Sequence, residues 1–214
     1  MLFIDEIKNQ MKLSVEKIDK NFGGKKILRD ISFELTLGKS AAIVGPNGSG
    51  KTTLVRIICG LIRPSSGEVK YIKENNQTIG QDFYKMIGLV GPYLELYEEL
   101  TANENLMFFA KMKRVPKATE KLSSLMERLN LKGREDDLVK NYSSGMRQRL
   151  KYVFALIGDP EFLFLDEPTS NLDADGIKRV YDIMSEQKKN KILLIATNDQ
   201  SDLEYGDFQV ELTA

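Results

Sequence analysis

The 214-residue chain contains no histidine. An imidazole base, pH switch or metal ligand is therefore excluded, and chemistry of that kind must be done by other groups. A single cysteine, Cys59, rules out a disulfide framework, and nothing in the chain has the spacing of a zinc site. Cys59 lies in an apolar helical pattern and reads as a small buried hydrophobe. Charge is balanced, with Lys+Arg and Asp+Glu both at 31. That speaks against a broad nucleic-acid surface and leaves only a local basic patch open. No apolar run approaches the ~20 residues of a membrane span. The first ten residues, MLFIDEIKNQ, carry two acids and no long apolar core, so they lack the pattern of a signal peptide. There is no internal repeat and no low-complexity tract. These absences predict a soluble, cytoplasmic chain, sized for one large domain or a domain with an inserted lobe.

What is present is organised around residues 40–53, SAAIVGPNGSGKTT. Ser40 to Val44 is a short apolar run suited to a strand buried on both faces, and Thr52 onward has apolar residues at helical spacing. Between them Gly45, Pro46, Asn47, Gly48, Ser49, Gly50, Lys51 and Thr52 fit G-x-x-x-x-G-K-[ST], with a strand before and a helix after. Gly45, Gly48 and Gly50 allow a tight turn in which successive N–H groups face one anion. The helix beginning near Lys51 aims its free N–H groups and positive dipole end at the same anion. Lys51 adds a charge for the β- and γ-phosphates, and Thr52, followed by Thr53, offers a hydroxyl to Mg²⁺. A glycine turn with a chance lysine is the alternative, and the flanks speak against it. The stretch predicts a nucleoside-triphosphate site.

Residues 1–12 read as an N-terminal extension to a single domain over 13–214. Leu13–Ile18 and Ile31–Leu37 alternate apolar and polar residues, and Phe22-Gly23-Gly24 signals a turn between them. These predict an antiparallel side sheet joined to the nucleotide sheet. The sequence further predicts a helix over Thr52–Leu61, a strand over Glu68–Ile72, a polar loop over Lys73–Thr78 and a buried strand over Met86–Val90. From Thr101 to about Lys140 the texture becomes helical, with a capping box at Thr101 and Glu104, a helix end at Pro116 and a second helix over Ala118–Leu129. This is an inserted helical subdomain, about 92–158, closed by a helix over Ser144–Ile157. Phe162–Leu165 and Lys191–Thr197 predict central strands, Asp175–Lys188 the helix between them, and Phe208–Leu212 an edge strand. The fold class is α/β: a P-loop NTPase core with a β side sheet and a helical insertion.

FLFLDEPT places Asp166 and Glu167 at the carboxyl end of a buried strand, where α/β sheets bind ligands. Asp166 suits Mg²⁺, opposite Thr52, and Glu167 suits the orientation of an attacking water. Two acids in a helix N-cap turn are the plainer alternative.

With these residues in place, the chain resembles the ATP-binding subunit of an ABC transporter. GPNGSGKTT resembles that family's Walker A motif, and FLFLDEPTSNLD its Walker B and D-loop, ending at Asp173. NYSSGMRQRL, residues 141–150, stands where the family has its signature sequence. The resemblance implies that two such domains pair head to tail, with ATP between the Walker motifs of one and Ser143, Gly145 and Asp173 of the other. It also implies that Phe22 stacks on adenine, which is favoured over the alternative of an ordinary side-sheet core residue.

The chain departs from the family at three places. The signature reads YSSGM, the loop glutamine is replaced by Pro92, and the switch histidine by Asn198. Asn198 can hydrogen-bond a phosphate oxygen but cannot carry a proton, which predicts slow turnover. The resemblance implies ATP and Mg²⁺ as cofactors, a transmembrane permease and a second ATPase subunit, like or unlike, as partners, and a place on the inner face of the cell membrane. Short similarities point to the exporter group containing ABC-2-type carriers and the cytochrome c maturation heme exporter. A soluble assembly or regulatory ATPase, or a subunit that binds but does not hydrolyse ATP, remain as alternatives.

Overall fold

A computed structural model describes residues 11–73 and 77–213. The expected N-terminal extension lies largely outside the described residues. β1 (Lys12–Phe22) and β2 (Lys25–Thr36) form a long hairpin turned at Gly23 and Gly24, both at positive φ. Their pairing slips between Val15 and Ile18, where Lys17 has φ 50. This bulge returns Ile18 to the face that already buries Leu13 and Val15, three residues after Val15 rather than two. β4 (Ser66–Lys73) pairs antiparallel with β1, and a two-residue strand, β5 (Gln77–Thr78), pairs with β4. A plain polar loop was expected over Lys73–Thr78, but the main-chain ladder continues there. The side sheet therefore has the order β2-β1-β4-β5.

The second sheet is parallel, with the order β6-β7-β8-β3-β9. Its strands are β3 (Ser40–Val44), β6 (Ile87–Val90), β7 (Phe162–Asp166), β8 (Ile192–Ala196) and β9 (Phe208–Glu211). β7 and β8 are buried on both faces and sort their side chains by alternation. Phe162, Phe164, Ile192 and Leu194 join one core with α1 (Lys51–Ile58) and the side sheet. Leu163, Leu165, Leu193 and Ile195 join a second core with the helical elements.

Those elements are α2 (Ala102–Met112), α3 (Ala118–Arg128) and α4 (Ser144–Leu156). Thr101 and Glu104 form the expected capping box at the start of α2. α2 stops at Met112, ahead of Pro116, because Arg114 turns left-handed and the Val115 N–H bonds back to Ala110. α1 likewise ends at Ile58, not Leu61, as Gly60 adopts φ 71. α5 (Ala174–Asn190) packs along the parallel sheet, and a short α6 (Gln200–Leu203) follows β8.

Candidate nucleotide site

β3 delivers the chain into the glycine-rich loop. Gly45 has φ 152, and a Cβ there would lie 2.4 Å from the carbonyl oxygen of Leu212, so only glycine passes beside the last strand. Gly50, at φ 103, packs on Ile27 and Leu28 of β2 and caps α1 without any side-chain hydrogen bond. The first turn of α1 holds no acid, which leaves its N–H groups and dipole uncompensated. Lys51 is only 8% exposed, and its ammonium donates to the carbonyl oxygens of Gly45 at 2.7 Å and Pro46 at 3.2 Å. The cation is thus held inside the loop by its own carbonyls. Pro46, Asn47 and Gly48 are exposed, Thr52 and Thr53 are partly buried, and the buried Ser49 hydroxyl has no partner among the described residues.

β7 supplies the acids. Asp166 is 1% exposed, and among the described residues neither carboxylate oxygen has a hydrogen-bond partner. Burial pushes its pKa up to about 6; Glu167 adds to the rise, while the Thr52 hydroxyl and Lys51 oppose it. The orphaned buried carboxylate and the Thr52 hydroxyl offer hard oxygen donors that fit Mg²⁺, while Lys51 stands by as a cation for phosphate. Glu167 adopts φ 52 and donates its N–H to the Ala196 carbonyl at 2.8 Å. The left-handed turn lets Glu167 be exposed while the preceding residue is buried. Such backbone strain at a glutamate is characteristic of functional sites.

Asn198, exposed beyond β8, donates its side-chain amide to Asn47 Oδ1 at 2.6 Å. The expected site residues of β3, β7 and β8 therefore meet at the carboxyl ends of adjacent strands. Phe22 is half exposed at the tip of the hairpin whose β2 arm packs on Gly50, with the Lys20 ammonium 4.7 Å from its ring centroid. That exposure removes the side-sheet core as an account of Phe22.

The signature segment is built separately. Ser143 caps α4, its Oγ accepting from the Met146 N–H at 3.2 Å. Gly145 faces the Asn171 carbonyl, where a Cβ would stand 3.1 Å away. Asp173 caps α5 by accepting from the Gly176 N–H at 2.8 Å and meets Arg149 at 3.5 Å. Among the described residues, no hydrogen bond joins Ser143 or Gly145 to the glycine-rich loop. Pro92 is exposed, and beside it the Gly91 carbonyl accepts from Lys151 of α4 at 3.2 Å.

Three contributors were not legible in the sequence. Tyr152 of α4 donates to the Pro168 carbonyl at 2.9 Å, tying the signature helix to the loop after Glu167. Asp202, buried on α6, accepts from Thr197 at 2.6 Å, Tyr181 at 3.1 Å and Thr169 at 3.3 Å. Asn47 was expected to face phosphate, and its partnership with Asn198 had no signal. Cys59, expected to be buried, is only partly so and packs against the side-sheet core.

The geometry defines a P-loop nucleotide-binding protein with a second, separate polar segment on the signature helix. The family model for ABC transporters matches residues 28–170, and the chain belongs to that family, whose ATP-binding proteins are ATPases coupled to transport. It is 40% identical over 189 residues to the ABC transporter ATP-binding protein YdbJ of Bacillus subtilis, covering 87% of this chain and 61% of that one. It is 32% identical over 198 residues to the lantibiotic transport ATP-binding protein SrtF of Streptococcus pyogenes, covering 92% and 84%. The chain spans about three fifths of the length of YdbJ and of two further Bacillus subtilis ABC transporter ATP-binding proteins that it matches. A solved ATP-binding subunit of an ABC transporter superposes with a TM-score of 0.83 at 28% identity, covering 94% of this chain and 85% of that one. A dimeric bacterial ABC transporter cassette gives the same TM-score at 22% identity, covering 94% of each, a likeness of fold.

Proposed function

We propose that the chain is the ATP-hydrolysing subunit of a membrane exporter, working by nucleotide-dependent pairing of two such subunits. The observation that carries this reading is the state of Lys51 and Asp166: a buried cation held by the loop's own carbonyls, and a buried carboxylate with no hydrogen-bond partner among the described residues. A triphosphate with its cation gives both groups what they lack.

Gly45 to Thr53 wrap the phosphates, and the α1 N-terminus and Lys51 balance their charge. Thr52 and Asp166 would hold Mg²⁺, which supplies charge neutralisation on the β- and γ-phosphates. Glu167 orients and deprotonates the attacking water, and Asn198 donates an amide hydrogen bond to the γ-phosphate. Phe22 stacks on the base. Ser143, Gly145 and Asp173 face the nucleotide of the second subunit, with the α4 N-terminus directed at its γ-phosphate. With Asn198 in place of an ionisable group, turnover is slow. Among the described residues no helix is long and apolar enough to cross a membrane. In this reading the chain lies peripherally on the cytoplasmic face, docked on a separate permease. Export is favoured because similar chains include a lantibiotic transport protein and a daunorubicin resistance protein.

The test uses the full chain carrying Glu167→Gln, with ATP and Mg²⁺, in light scattering. The expected result is a doubling of mass that needs both ATP and Mg²⁺. A protein that stays monomeric under saturating nucleotide, and recovers no multi-span membrane protein from a detergent extract of its source cells, overturns the reading.

A further inference from the structure

Asp166 and Tyr93 are an unmatched acceptor and donor. Both carboxylate oxygens of Asp166 and the hydroxyl of Tyr93 are sealed from solvent, and among the described residues none has a hydrogen-bond partner. Buried polar groups are nearly always paired, so two such groups in one region require an explanation.

The backbone brings them together. β6 and β7 run parallel with Val90 beside Leu165, so Gly91 and Asp166 follow at the same end of the sheet. The chain turns at Pro92, and the Tyr93 side chain folds back over Gly91. A Cβ on Gly91 would stand 2.9 Å from the ring and 3.2 Å from the phenol oxygen, so the absence of a side chain at Gly91 lets the ring lie against the backbone. From the other side the Arg56 guanidinium lies 5.1 Å from the ring centroid. Arg56 is one turn beyond Thr52 on α1, so the helix face that presents Thr52 also clamps Tyr93. Burial, then the Cys59 thiol and the Asp166 charge, raise the phenol far above its ordinary value, while Arg56 opposes them. A phenol O–H donates and an ionised carboxylate only accepts, so the two groups are chemically complementary.

The geometry points to Tyr93 as a positioning residue for the metal–nucleotide site: its hydroxyl holds one oxygen of Asp166 while the other faces the cation. The inference rests on the nucleotide reading given above. Tyr93 acts through Asp166 and does not touch the reacting atoms. In the nucleotide-free protein the hydroxyl is buried without a bond among the described residues, so removing it is expected to cost the apo fold nothing.

The experiment compares wild type with Tyr93→Phe, which keeps the ring on Arg56 and Gly91. Calorimetric titration with a non-hydrolysable ATP analogue is run in EDTA and in MgCl₂, alongside thermal melting of the apo proteins. Expected are equal affinities in EDTA, a roughly tenfold smaller gain on adding Mg²⁺ for Tyr93→Phe, and an apo melting temperature no lower than wild type. An equal Mg²⁺ gain in both proteins overturns this inference alone. So does a lowered apo melting temperature, since the hydroxyl would then have a structural partner. A wild type that binds the analogue in neither buffer overturns the nucleotide reading, and this inference with it.

Discussion

The side-chain amide of Asn198 donates to Oδ1 of Asn47 across 2.6 Å, joining the loop after β8 to the glycine-rich loop. Both residues are exposed, so this bond is of the kind that exchanges readily with water or an incoming phosphate. Asn198 thus stands against the glycine-rich loop, held by a partner that has no charge.

The first prediction concerns this pair and Glu167. Glu167→Gln abolishes steady-state ATP hydrolysis in the wild-type background. Asn198→His raises kcat, by up to about 10²-fold, because a cationic donor stabilises developing charge better than an amide. Steady-state phosphate release from the three proteins checks both. An unchanged rate in Glu167→Gln would remove Glu167 from the chemistry.

Glu167 also carries a stability prediction. Its φ of 52 costs a residue with a Cβ roughly 1–2 kcal/mol, which glycine does not pay. Glu167→Gly should therefore be more stable to denaturant than Glu167→Ala, though both are inactive. Equal midpoints for the two variants contradict the strained turn.

Two loop glycines separate close packing from backbone conformation. Gly45→Ala places a Cβ 2.4 Å from Leu212 O, whereas Gly48→Ala, at φ 82, meets nothing within 4 Å. Gly48→Ala should cost only the left-handed penalty, about 1–2 kcal/mol. Gly45→Ala adds an overpacking cost of about 1–3 kcal/mol. Urea denaturation of both variants orders them.

Tyr152→Phe should cost roughly 1–3 kcal/mol, because Pro168 O keeps only the long 3.5 Å contact from Gln148. The same substitution loosens α4 from the loop after Glu167. Amide exchange in residues 167–172 should accelerate relative to the side sheet.

Asp202 sets a pH dependence. Burial raises its pKa above the ordinary 3.8 and Asp199 adds to this, while the hydroxyls of Thr197, Tyr181 and Thr169 oppose it. The folded state then holds its proton to higher pH than the unfolded chain. The contribution of Asp202 to stability falls as pH rises from 3.8 through the folded pKa and is level above it. Asp202→Asn should flatten that fall, read as melting temperature against pH in the nucleotide-free protein.

Most strands were legible because their periods are short-range facts: FLFL and ILLI are apolar at every position, as strands buried on both faces must be. The capping box at Thr101 was legible for the same reason, since its two partners are three residues apart. The bulge at Lys17 was not, because it lies where β4 approaches closely at Gly67, a position at which a Cβ would stand 2.2 Å from Lys17 O. Nor was β5, which exists only because β4 offers it an edge.

The chain's order of residues determined which chemistry is available: a phosphate loop with its lysine, two acids at a strand end, a helix capped by Ser143, and no imidazole anywhere. Local sterics and spacing suffice for each of these. Only the tertiary structure decided which groups are left unsatisfied and who their neighbours are. Asn198 bonded to Asn47 is a contact between segments distant in sequence. The burial of Asp166, which has no hydrogen-bond partner among the described residues, and of Lys51, folded onto its own loop, is set by the elements packed around them. Whether a polar group at the site finds a partner is a property of the assembled fold, and the spacing of residues along the chain does not encode it.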